Sequence, residues 1–224
     1  MPKVKVPRKS TNIDMTAMCD VAFLLLSFFI LTTKFKPPEA LTVVTPKSVS
    51  TKTVNTKNSV TIILDKEGKA YFSVSDDNTS EKGDIIDYVD QQKQLGLTAQ
   101  QKNAFKRGGS YVGVPFSQLK SLLSMSGDQL KGLQMPGIPV TDTLNNEMTM
   151  WLRATADAFQ GKTVTVFLKG DNLAKYPSLK GVIDALKKND IMKFSMITNP
   201  EAVPAGTDLY NKNKASGGKA TDAQ

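Results

Sequence analysis

Residues 12–33 read NIDMTAMCDVAFLLLSFFILTT, and this stretch decides the architecture because it sets one carboxylate, Asp20, inside an otherwise apolar run. From Val21 to Leu31 only Ser27 is polar. Extended back to Ile13 and on to Thr33, the run has about 20 residues, and a helix of that length, rising ~1.5 Å per residue, crosses a hydrocarbon core of ~30 Å. The reading is a single transmembrane helix over 12–33, with the remainder of the chain outside the bilayer.

An ionised carboxylate deep in such a helix costs roughly 2.5–3.5 kcal/mol on insertion scales, so Asp20 asks for a reason. Steps of three, four and seven residues return close to the same helical angle, which places Thr16, Asp20, Phe23, Leu24 and Ser27 on one face. Lipid offers these hydroxyl and carboxyl groups no hydrogen-bond partner, so the stripe is expected to face another protein or a water-filled path. Three roles for Asp20 fit the residues alone. It is solvated near the cytoplasmic end of the span, or it is an assembly contact paired with a Lys or Arg of a partner helix, or it is a carrier, neutral when buried and ionised when hydrated.

The whole chain has to accommodate that helix. At 224 residues, 40% hydrophobic and 22% charged, it holds an ordinary folded domain besides the span. A mean hydropathy of −0.25 fits one span with a water-soluble body. The net charge of +8 does not point to nucleic acid, because the basic residues are scattered lysines and Arg occurs only at Arg8, Arg107 and Arg153. Base recognition relies on bidentate Arg and stacked aromatic platforms. The only cysteine, Cys19, lies in the span and there is no histidine. An intrachain disulfide is impossible, and zinc and thiol chemistry are excluded for the body. Asp and Glu lack calcium-loop spacing, and no nucleophile, base and orienter can be assembled. No metal, no cofactor and no catalytic residue is expected, and the protein is not read as an enzyme.

The chain divides into five segments. Residues 1–11 carry Lys3, Lys5, Arg8 and Lys9 without an acid, a basic flank that the positive-inside rule keeps cytoplasmic, although Lys34 and Lys36 weaken the asymmetry. No A-x-A-like site follows the apolar run, so a cleaved leader is not expected. Residues 34–58 are rich in Pro, Ser, Thr and Lys, with Pro37-Pro38 ending the helix, and read as an extended tether. Its Leu41–Pro46 stretch alternates and is suited to adding to a sheet edge. Residues 59–200 form the body, and 201–224 read as a disordered tail.

Within the body, Ser59–Leu64 and Ala70–Val74 are expected as a hairpin around Asp65–Lys69. Asp76–Ser80 reads as a loop, and a helix from Gly83 carries Ile85, Ile86 and Val89. Lys102–Gly109 reads as a solvated basic stretch, Tyr111–Val114 as a short strand, Ser117–Met125 as a helix and Gly127–Pro139 as a surface loop. A helix over Thr143–Phe159 places Trp151 in its core stripe. Thr163–Leu168, a helix capped by Ser178 with Leu179, Val182, Ile183 and Leu186 in its stripe, and Lys193–Thr198 make a β-α-β unit. Lys169-Gly170-Asp171 is read as turn and cap chemistry.

The stretch Ile13-Asp14-Met15-Thr16-Ala17-Met18-Cys19-Asp20-Val21, followed by an apolar run to Leu31-Thr32, resembles the signature of the ExbD/TolR family of membrane-energised motor subunits. That signature runs I-N-V-T-P-L-V-D-V and ends in a hydrophobic helix with a late Thr. Ile13, Thr16, Asp20, Val21 and Thr32 match it; Asp14, Ala17 and Cys19 depart from it. Pro46 matches a V-x-L-P-like element, with Thr45 in place of Leu, and Lys169, Asp171, Tyr176 and Thr198 match the family's K-x-D, Tyr and closing Thr.

The resemblance implies an α+β protein with a single N-terminal transmembrane helix, an extended linker and a small two-layer α/β periplasmic domain. It implies that Asp20 carries protons, that Thr16, Ser27 and Thr32 line the path, and that Val43, Val44 and Pro46 dock a partner. Expected partners are ExbB/TolQ-type multi-span ring subunits, a second copy of the chain, and a TonB- or TolA-type periplasmic protein. The protein would couple proton-motive force at the inner membrane to transport or envelope work, with its N-terminus cytoplasmic. The other reading is a membrane-tethered module that grips cell wall or a receptor, with Asp20 used only in assembly. The segment 79–151 is longer than the family pattern requires and receives no role.

Overall fold

The computed structural model describes residues 15–32, 43–49, 57–107, 111–125, 127–130, 133–142, 145–201, 206–208 and 210–211. The chain forms two compact units, Met1–Pro38 and Glu39–Gln224. In the first, helix α1 (Met15–Thr32) is apolar throughout except for Asp20 and its hydroxyl residues, and buries no residue within its own unit. Thr11 to Asp14 and Thr33 lie outside the described residues.

The second unit is built on a sheet. Strands β2 (Ser59–Leu64) and β3 (Ala70–Val74) form the antiparallel hairpin expected from sequence, and β4 (Thr165–Gly170) and β5 (Ser195–Met196) continue it in the order β3-β2-β4-β5. The β2–β4 and β4–β5 pairings are parallel. Every residue of β2 except Thr61 is buried, as a continuous apolar run demands when both faces are covered. The hairpin turn is set by Asp65, whose Oδ1 accepts the N–H groups of Glu67 at 2.9 Å and Lys69 at 2.8 Å, while Gly68 takes φ +84°. A second, two-stranded sheet pairs β1 (Lys47–Ser48) parallel with β6 (Asn199–Pro200).

Seven helices are described: α1, α2 (Thr79–Lys93), α3 (Ala99–Arg107), α4 (Phe116–Ser124), α5 (Gly127–Leu130), α6 (Glu147–Ala158) and α7 (Tyr176–Lys188). Helix α2 packs on α6 and α3, α3 on α4, and α6 on α7. Trp151 on α6 is fully buried, with the rings of Phe72, Phe116 and Phe105 at centroid distances of 5.1, 5.5 and 5.9 Å.

Several local readings are corrected. Helix α2 begins at Thr79, not Gly83, because Asn78 occupies the N-cap position and its carbonyl accepts the N–H of Lys82 at 2.9 Å. The basic stretch 102–109 is mostly α3, with Gln101 and Phe105 buried. Its start is a capping box: Thr98 Oγ1 accepts the N–H of Gln101, and Gln101 Oε1 accepts that of Thr98 at 2.8 Å. Ser178 does not cap α7. Lys175 holds the N-cap position and Ser178 is buried inside the helix, where Pro177 fits the first turn. The buried stripe of α7 is Ser178, Gly181, Val182, Ala185 and Leu186, with Leu179 and Ile183 only half-buried. Helix α6 starts at Glu147, β4 runs two residues later than expected, and β5 is short.

The long segment after β3 is also not surface loop. Val112 bridges Phe72 and Ile138 bridges Ala70, both antiparallel, so the outer edge of β3 is covered by backbone from residues 112 and 138. Met135, Ile138 and Val140 are buried in the core. A Cβ on Gly113 would lie 2.1 Å from Cδ1 of Tyr71. That ring is 3% exposed and its hydroxyl donates to Asp65 Oδ2 at 3.2 Å; burial, then the charge of Asp65, push the phenol far above its ordinary value. Gly113→Ala is therefore expected to destabilise the body by about 1–3 kcal/mol, read as a lower urea midpoint. An unchanged midpoint would show that the ring yields.

Glu147 caps a helix other than its own. Helix α4 follows Pro115, which offers no side-chain cap, and Glu147 Oε2 accepts the N–H of Phe116 at 2.8 Å. Burial raises the Glu147 pKa, against the lowering pull of that N–H and of Lys93. A carboxyl whose pKa is raised on folding binds its proton more tightly in the folded state, so its contribution falls as pH rises above the unfolded value. Glu147→Gln keeps an oxygen for Phe116 and is expected to gain on the wild type as the pH is raised through the range above the unfolded carboxyl value of about 4.3. Parallel unfolding midpoints of the two proteins across that range would contradict the assignment.

Candidate functional site

Two places collect the residues that the sequence singled out. On α1, Thr16, Asp20 and Ser27 fall within about 60° of one another on the 100° per residue wheel. Thr32 lies about 120° round the helix from Asp20 and ~18 Å along it, so it is on the same helix and not on the same stripe.

The hydroxyls differ from the expectation that all need an outside partner. Ser27 Oγ donates to the Leu24 carbonyl at 2.9 Å, and Thr32 Oγ1 donates to that of Phe28 at 2.7 Å. Their protons are satisfied within the helix, and their oxygens keep lone pairs for an incoming donor. Asp20 has no hydrogen bond or ion pair among the described residues. The carboxyl is thus the group on this face for which the helix itself supplies nothing, and a carboxyl in hydrocarbon requires protonation, water or a partner.

The second place is where the linker meets the body. Val43 packs against the core and Thr45 is buried, whereas the side chain of Val44 is 64% exposed. The backbone of Val44 is held on both sides. Its N–H donates to Asp171 Oδ2 at 3.0 Å and its carbonyl accepts from Asn172 at 2.9 Å. Farther along, Asn199 donates to the Pro46 carbonyl at 2.9 Å and Glu201 to that of Ser48 at 2.8 Å. Residues 43–48 therefore run as a strap from the turn after β4, where Asp171 and Asn172 hold Val44, to β6, where Lys47 and Ser48 pair with Asn199 and Pro200.

Asp171 does the turn chemistry read from sequence, since its Oδ1 accepts the N–H of Leu173 at 2.9 Å. Its second oxygen holding the strap was not foreseen, and nothing in local spacing signals a bond across 127 positions. Asp171→Ala is expected to speed amide exchange at Val44, Asn172, Asn199 and Glu201 while β2 and β4 keep their protection. Unchanged exchange at those four amides would mean the carboxylate is incidental.

Tyr176, matched by resemblance alone, is 71% exposed and shares no hydrogen bond with Asp171. Among the described residues no group of three or more His, Cys, Asp or Glu side chains is placed to hold a metal ion. Helix α1 has the length and composition to cross a membrane, with a mean hydropathy of 2.0.

The profile of one family, described as Biopolymer transport protein ExbD/TolR, matches residues 7–201. Comparison with curated proteins and with solved structures finds no match.

Proposed function

Because the chain belongs to the ExbD/TolR family of biopolymer transport proteins, we propose that it is the single-span subunit of a proton-driven motor, with Asp20 as the group that takes up and releases the ion. The observation that carries this reading is the carboxyl of α1, the group on its face that the helix leaves without a partner. In this reading α1 lies inside a ring of ExbB/TolQ-type multi-span subunits beside the α1 of a second copy. Thr16, Ser27 and Thr32 mark out the route, and the hydroxyl oxygens of Ser27 and Thr32 accept from passing water.

The family match takes in residues on both sides of α1, which supports a resident span over a removed leader. The basic residues before α1 favour a cytoplasmic N-terminus in the inner membrane and a periplasmic body. The strap at Val43, Val44 and Pro46 is the proposed handover point. A TonB- or TolA-type segment would receive the work there, engaging backbone that Asp171 and Asn172 otherwise occupy.

The test is purification of the tagged chain from membranes in mild detergent. A multi-span partner with two copies of this chain is the expected result, and recovery of the chain alone would sink the motor reading. If Asp20 served only assembly, Asp20→Asn would lose the partner as well as the activity.

A further inference from the structure

Val44, Leu173, Tyr176 and Met192 are the four most exposed large apolar side chains of the body among the described residues. Three of them belong to the end of the body where the parallel strands β2 and β4 finish. Val44 is bonded through its backbone to Asp171 and Asn172, Leu173 follows in the same turn, and Tyr176 opens α7. An exposed apolar residue on its own asks for no explanation. Three from one turn and the strap bonded to it form a patch of the kind that marks an interaction site.

The carboxylates at this end are engaged by the protein. Those of Asp65 and Asp171 accept backbone N–H groups, and Glu67 pairs with Lys69 at 2.7 Å. A Cβ on Gly68 would lie 3.4 Å from that of Lys175, so the hairpin turn adjoins the start of α7. Lys66 in that turn, Lys175 beside Tyr176 and Lys180 one turn along α7 are exposed and form no ion pair among the described residues. Lys66 and Lys175 act on Glu67 only at longer range, and Asp184, a turn beyond Lys180, is half-buried. Lysines around an exposed Leu and Tyr suit a bilayer surface with anionic headgroups, where the cations meet phosphate and the Tyr ring sits at headgroup level. The chain also limits how far this end reaches from a bilayer: residues 33–42 separate α1 from Val43, a span of at most about 40 Å.

We propose that this end of the body docks on an anionic phospholipid surface, that of the bilayer which α1 crosses. Leu173 and Tyr176 enter the headgroup layer, and Lys66, Lys175 and Lys180 lie against lipid phosphates. A patch of this size binds only marginally by itself, and the short tether supplies the effective concentration that makes docking favourable. The inference rests on α1 residing in the membrane and is independent of the role of Asp20.

The test is amide relaxation in the full chain, embedded in nanodiscs that carry a headgroup-spin-labelled lipid in phosphatidylcholine, with or without phosphatidylglycerol. Val44, Leu173 and Tyr176 are expected to relax faster than Met192, which is similarly exposed but precedes β5 at the other end of the parallel strands. Phosphatidylglycerol should widen the difference. The pair Leu173→Ser and Tyr176→Ser is expected to bring residues 44, 173 and 176 down to the level of Met192. Lys66→Gln, Lys175→Gln and Lys180→Gln together should remove the gain from phosphatidylglycerol. All five side chains are exposed, so the body keeps its fold. Equal relaxation at the two ends, indifference to phosphatidylglycerol, or an undiminished effect in the serine pair would overturn the docking and leave the patch to a protein segment. A chain that failed to enter the discs would remove the span and this inference together, whereas one that entered without preferring either end would remove this inference alone.

Discussion

Asp20→Asn is expected to abolish ion-driven work while leaving the chain inserted, folded and bound to its partners. The substitution keeps the size and most of the hydrogen-bonding capacity of the side chain and removes only its ability to take up and release a proton. A membrane potential supplies ~2.3 kcal/mol per charge per 100 mV, and all of it is lost to a carrier that cannot change charge. Reconstitution with the co-purified multi-span partner, followed by proton flux across the vesicle, gives the readout; the variant should fall to the leak of empty vesicles. Asp20→Glu, which keeps the titrating group on a longer arm, should retain part of the flux. Wild-type flux through the Asn variant would leave the carrier role without support.

Trp151→Ala should give the largest loss of stability in the body. Its ring is fully buried among Phe72, Phe116 and Phe105, so truncation opens a cavity between the sheet and two helices, at about 3–5 kcal/mol. Against a total stability of ~5–15 kcal/mol for a domain, that is enough to leave it marginal. Trp151→Phe offers a sharper comparison. Trp151 Nε1 is buried and donates to no acceptor among the described residues, and an unmade hydrogen bond of this kind costs roughly 1–3 kcal/mol. Phe sheds that N–H while keeping an aromatic ring, so it is expected to lie within about 1.5 kcal/mol of the wild type by urea unfolding. If Phe proved as damaging as Ala, the indole would be held by something other than ring packing.

The parts of the fold that sequence revealed are those whose physics is local. The hairpin 59–74 is announced by two alternating or apolar runs around Asp65 and Gly68, and both strands fall on the expected residues. Trp151 was legible because its stripe repeats at helical spacing. Helix α3 was missed because its mean composition is strongly polar and its lysines mask one buried aromatic, Phe105; the T-x-x-Q box at Thr98–Gln101 was the available signal. Met135 and Ile138 were hidden for a different reason. They sit among Gly and Pro, and Ile138 is drawn in by pairing with Ala70 of β3, a contact across more than sixty positions.

The same division holds for the candidate site. Asp20 declares itself by being a carboxylate in an apolar run, and the alternating stretch before Pro46 suggested an added strand. That Asp171 fastens the strap follows from tertiary placement alone.

The covered margin of β3 has a consequence for how many chains can share one sheet. Unpaired strand margins are the places where sheets join, and here residues 112 and 138 already occupy one of the two. A second copy arriving at β5 through a twofold axis would bring its own blocked margin with it, so the joined sheet would be sealed at both ends. Pairing by that route stops at two and cannot run on into a fibre.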